Sequence, residues 1–101
     1  MKKFVLIHVG FETPTEEIKK AWMAWFTKYG DKFADSGAPF MPGKEVTKSG
    51  VTDLPHDKNA ITGYSIINAE SIEDAVKIVQ DCPIITSMRV YEAGKIGRAH
   101  V

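Results

Sequence analysis

The side chains of this sequence whose type and place suit proton transfer are His8, His56, Asp53 and Asp81, with His100 near the end and a single thiol at Cys82. Histidine titrates closest to neutrality and is the first choice for a general base. His8 lies in the apolar run "KKFVLIHVG", and His56 closes the stretch Asp53-Leu54-Pro55-His56. Asp81 stands ahead of Cys82-Pro83, at the end of a helical pattern. The helix dipole disfavours an acid there, and burial would raise its pKa into a working range. If the protein is an enzyme, the expected catalytic residues are Asp81 and His8. The plainer reading of His8, and the favoured one, is an inert, hydrogen-bonded histidine at the dimer interface or near a pocket mouth. Cys82 has no cationic neighbour in sequence and lies at the wrong helix end for a thiolate, so it is expected to pack. The expected ligand-binding residues are Trp22, whose indole N–H would point into a pocket, and His56 and Asp53. The same loop reads as a plain turn, with Asp53 bonding its own backbone and Pro55 fixing one torsion. There is no His-x-His, His-x-x-x-His or Cys-x-x-Cys spacing, so no metal is expected. "GAPFMPGK" lacks the Gly-Lys-Ser/Thr ending of a phosphate loop, and no cofactor is expected.

These residues need a frame. "KKFVLIHVG" reads as a first strand, with Val5, Ile7 and Val9 on one side and Phe4, Leu6 and His8 on the other. His8 and Leu6 are expected on the face away from the helices. Thr13, Pro14 and Glu16 form a capping box for a helix whose apolar stripe runs through Ile18, Ala21, Trp22, Trp25, Phe26, Tyr29 and Phe33, and Gly37 ends it. The Pro- and Gly-rich segment that follows has room for a short second strand around Gly43 to Ser49. "ITGYSIINA" is a third strand. Ser71 and Asp74 open a second helix with Ile72, Ala75, Val76 and Val79 apolar, Pro83 closes it, and "IITSMRVYEA" is a fourth strand. The order β-α-β-β-α-β predicts an α+β, ferredoxin-like domain over residues 1–93, with a tail at 94–101. Both helices then share one sheet face, and the apolar other face predicts a homodimer closing a dimeric α/β barrel. The alternative cover is the chain's own long loop.

Gly63-Tyr64 with "SIINAESIEDAVKIV", then Cys82-Pro83 and "MRVYEA", resembles the YCII-related family. One branch of that family is named for an Asp-Gly-Pro-Phe motif ahead of this strand, where this chain has Asp53-Leu54-Pro55-His56. The segment "DKFADSGAPFMPG" is similar to the family's passage from the first helix into a Gly-Pro-containing strand. The resemblance extends to about Ala93. It implies a dimeric α/β barrel with a cleft between sheet and helices. In some members a histidine on the first helix faces an aspartate at the end of the second. Asp81 matches the aspartate; the first helix here has no histidine, and Lys19 or a neighbour stands at its place.

The 13 basic and 13 acidic residues balance, without a basic cluster, so nucleic acid is not an expected partner. Phe4–Ile7 is too short an apolar run for a membrane span or a signal peptide, so no membrane partner is expected either. One cysteine excludes an internal disulfide and suits a reducing compartment, so the expected location is cytoplasmic. Three functions fit: a homodimer binding a small organic molecule in an apolar pocket, a cofactor-independent isomerase, lyase or hydrolase using Asp81, or a protein-interaction module working through its sheet face.

Overall fold

The computed structural model of the protein describes residues 1–94. Apart from Gly94, the expected tail at 94–101, including His100, lies outside the described residues. Strand β1 (Lys2–Val9) leads through Thr15 into helix α1 (Glu16–Lys28), and a 3-10 turn (Gly30–Lys32) passes directly into β2 (Phe33–Pro39). A hairpin of β3 (Lys44–Thr47) and β4 (Gly50–Asp53) follows, then β5 (Ile61–Ala69), α2 (Ile72–Gln80) and β6 (Ser87–Glu92). The main sheet has the order β2-β5-β1-β6, all neighbours antiparallel. Two β-α-β crossovers interleaved in this way make a ferredoxin-like α+β fold, as the element order predicts.

Phe4, Leu6 and Ile67 are wholly buried and with Trp25, Ala75, Ile78 and Val79 form the apolar core beneath the helices; Ser65 is wholly buried as well. Burying each large apolar side chain of this set contributes about 1.5–3 kcal/mol. This corrects the expected facing of β1: Phe4, Leu6 and His8 point toward the helices. Val5 and Ile7, half-buried, point to the open face. The stripe of α1 is rich in rings, and bulky rings need the deeper side. Trp25 is only 3% exposed, and its indole N–H donates to the carbonyl of Ile78 at 2.9 Å. That bond ties α1 to the last turn of α2, at a carbonyl that also accepts the Asp81 amide at 3.3 Å.

Two boundaries also differ from expectation. Thr15, not Thr13, caps α1, its hydroxyl accepting from the amide of Ile18 at 3.2 Å. With Thr15 as cap, Glu16 and Glu17 both fall in the first turn, where the dipole favours them. The second strand of the sheet is Phe33–Pro39, not the segment around Gly43–Ser49. Phe33 continues the aromatic stripe in space, with its ring 5.2 Å from Trp25 and 5.1 Å from Phe26, although the backbone has left the helix at Gly30. The segment expected to be a strand of the sheet is instead half of the β3–β4 hairpin, which projects with every residue exposed, including Val46 and Val51. Ser71 caps α2 as predicted, but its inner face is Ala75, Ile78 and Val79, leaving Ile72 and Val76 outside.

Candidate functional site

A cavity of about 600 Å³ opens between α1 and one end of the sheet. Its walls come from the end of β1 (His8, Val9), from α1 (Trp22, Phe26), from the middle of β5 (Gly63, Ser65) and from β6 (Met88). Cys82 and Ile84, after α2, close one side. Among the described residues that line it, only Glu12 carries a formal charge, and none is a lysine or arginine.

His8 is the titratable base of this cavity. Its ring stacks on Trp22 with centroids 5.3 Å apart, and its Nε2 is 3.2 Å from the hydroxyl of Ser65. Burial lowers its pKa from 6.5 to about 4, since charging the ring would mean charging it away from water. At neutral pH it is therefore an uncharged imidazole. No buried side-chain nitrogen or oxygen among the described residues lacks a partner, and Nδ1 bonds to none of them. Nδ1 must then reach open space, and the open space beside this ring is the cavity.

Ser65 hydrogen-bonds in turn to the carbonyl of Ser36 at 3.2 Å. That carbonyl is aimed by an irregularity in β2, where the pairing with β5 shifts between Asp35 and Ala38. Gly37 makes the shift possible. Its φ is +80°, and an added Cβ would stand 1.7 Å from the carbonyl oxygen of Tyr64. Asp35 pins the distortion from both sides: one carboxylate oxygen accepts from the Gly37 amide at 2.8 Å, the other from the Tyr64 hydroxyl at 3.1 Å.

The residues singled out from the sequence are scattered relative to this cavity. His8 and Trp22 line it. Asp81 does not. It caps the C-terminus of α2 on the exposed surface, 2.9 Å from the ammonium of Lys28, and also accepts the hydroxyl of Tyr29. The Tyr29 hydroxyl and the Lys28 charge hold its carboxyl below the usual range, the opposite of a carboxylic acid poised to donate. His8 and Asp81 are not brought together. Asp53 pairs with Lys44 at the root of the hairpin and is not among the lining residues. His56 comes nearer: its ring packs at a tilt against Phe11, centroids 4.3 Å apart, and Phe11 is a lining residue. Its loop is tied down by the Phe11 amide donating to Asp57 at 2.9 Å and the Gly10 amide to Ala60 at 2.8 Å. Cys82 sits in the wall as a free, buried thiol that burial pushes up to about 12. Among the described residues no group of His, Cys, Asp and Glu gathers as metal ligands would. No helix among them is long and apolar enough to cross a membrane.

Ser65 was not singled out from the sequence, and a signal for it existed. In β5 the buried phase is Gly63, Ser65, Ile67 and Ala69, so a lone hydroxyl interrupts an otherwise apolar face.

Fold and cavity together define a class: a small ferredoxin-like α+β domain with an apolar pocket against one end of the sheet. Among solved structures the chain is similar to 5-chloro-2-hydroxyhydroquinone dehydrochlorinase from Burkholderia phenoliruptrix AC1100, in its complex with 2,5-dihydroxybenzoquinone. The identity is 17%, the TM-score 0.56, and the match covers 96% of this chain and 97% of that one. At that identity the likeness is one of fold. No protein-family model matches the chain, and no curated protein matches it either.

Proposed function

We propose that this chain is a small-molecule-binding protein, that its ligand sits in the cavity beside His8, and that it groups with the YCII-related proteins its motifs resemble. One observation carries this: a largely apolar cavity of about 600 Å³ has the uncharged imidazole of His8 set in its wall. A cavity of that size with few polar groups is the usual form of a small-ligand site. The dehydrochlorinase of similar fold has a small cyclic ligand in its structure, which is in keeping with this use of the fold. We also propose a homodimer through the open sheet face, where Val5 lies between Ile66 and Tyr91, and Ile7 lies between Tyr64 and Arg89. The half-exposed aliphatics of that face support this, and Tyr91 is 57% exposed.

The unbonded Nδ1 favours a second reading, catalysis by proton transfer. His8 would be the base, because Asp81 has no place in the lining. The two readings share a site and differ in turnover.

The tryptophans offer a test. Trp22 lines the cavity, and Trp25 is buried beneath it and bonded to Ile78. A small aromatic probe such as phenol should quench the fluorescence of the native protein and of Trp25→Phe saturably, and should leave Trp22→Phe unresponsive. Saturable quenching that survives in Trp22→Phe and disappears in Trp25→Phe would place the ligand elsewhere.

A further inference from the structure

We propose that Ser65 fixes the tautomer of His8, and that the cavity thereby selects uncharged aromatic hydroxyl compounds, which donate a hydrogen bond to His8 Nδ1. This rests on the small-molecule site proposed above and names the chemistry that the site takes.

The hydrogen-bond chain sets the direction. Ser65 is wholly buried, and its hydroxyl has one proton. The Ser36 carbonyl can only accept, so the proton belongs in the 3.2 Å bond from Ser65 to Ser36. The same oxygen lies 3.2 Å from His8 Nε2 and must then accept from it. Nε2 therefore carries the hydrogen. An uncharged imidazole has one N–H, so Nδ1 keeps its lone pair and faces the cavity as an acceptor. The reverse arrangement, with Ser65 donating to Nε2, would set two lone pairs against each other at Ser36. The distorted turn at Ser36-Gly37 aims that carbonyl, and Gly37 is the residue that permits the turn.

The lining excludes the opposite class of ligand. A carboxylate or phosphate would enter with no lysine or arginine among the described lining residues to meet it, and would face both the Nδ1 lone pair and Glu12. A phenolic hydroxyl suits Nδ1, and its ring can rest against Phe11, Trp22 and Phe26, all lining residues.

The test is ¹⁵N NMR of the full chain labelled at histidine, at neutral pH, without ligand and then with phenol, anisole or benzoate. His8 should show the Nε2–H tautomer before any ligand is added. Phenol should shift Nδ1. Anisole, which cannot donate, and benzoate, which is charged, should bind about tenfold more weakly or worse, the loss expected for one hydrogen bond. Ser65→Ala should raise the share of the Nδ1–H tautomer and weaken phenol by a similar factor. A purely structural serine would not move the tautomer. The Nδ1–H form in the unmodified chain would overturn the inference even if all three probes entered the cavity. So would benzoate binding as well as phenol. If none of the probes perturbs any cavity residue, the site itself is refuted along with the inference.

Discussion

At the scale of single residues, position in the fold sorts side chains that look alike in sequence. His8 and Asp81 are both acid–base groups, yet one faces a cavity and the other is held on the surface by Lys28 and Tyr29. Asp81→Asn should therefore leave phenol binding unchanged, and a binding isotherm that weakens would return Asp81 to the site. His8 carries a pH dependence. Folded, it takes a proton only near pH 4; unfolded, at its ordinary value of 6.5. Between those values the unfolded chain binds the extra proton, so the His8 contribution to stability is full above pH 6.5 and is lost as pH falls toward 4. Denaturation midpoints measured across that window should fall less steeply in His8→Gln than in the native protein. Equal slopes would mean that the folded protein accommodates the charged ring. Cys82 gives a third expectation. With its thiol pushed up to about 12, it should resist alkylation by iodoacetamide in the folded protein at mildly alkaline pH and react promptly once unfolded, as read by mass spectrometry.

At the scale of elements, packing explains both what was legible in the sequence and what was not. β1, β5 and α2 were readable because each has a regular apolar period and clear ends, such as Gly10 after β1 and Ser71 before α2. β2 was hidden. "FADSGAP" has no β-branched residue and no alternation, and its shape is held by the Asp35 carboxylate and by Gly37 rather than by strand propensity. Phe33, placed in the helical stripe by spacing alone, does join that stripe, but from a strand. The facing of β1 was hidden too, because both of its sides are largely apolar and only the rings of α1 decide between them. The same gap concealed what Ser65 bonds to, because its partners lie on β1 and β2 and cannot be paired from sequence. Two substitutions test this packing. Trp25→Ala should cost about 3–5 kcal/mol in chemical denaturation, as aromatic core truncations do. Gly37→Ala should also destabilise, because its Cβ would collide with the Tyr64 carbonyl. A midpoint unchanged in either variant would mean that the element concerned packs differently.

At the scale of the whole molecule, one sheet face is covered by helices, and the other bears the half-buried Val5, Ile7 and Ile66, with Tyr64 beside them stacked on Phe40. With the facing of β1 corrected, the substitution that probes the proposed dimer is Ile7→Asp. Leu6→Asp would instead put a charge in the core. Sedimentation should give a dimer mass for the native chain and a monomer mass for Ile7→Asp, because an unpaired carboxylate cannot be buried at a joint. A native monomer would leave the open face to some other cover. The cavity, by contrast, is built within one chain, and its occupancy is the heart of the proposed function. The most direct measurement is a backbone amide shift map of the protein titrated with phenol. The residues that move should be those around His8 on β1, Trp22 on α1, Ser65 on β5 and Cys82 after α2, four places distant in sequence that meet only at the cavity. Shifts confined to the open sheet face around Ile7 and Tyr91, or to the root of the β3–β4 hairpin, would contradict it.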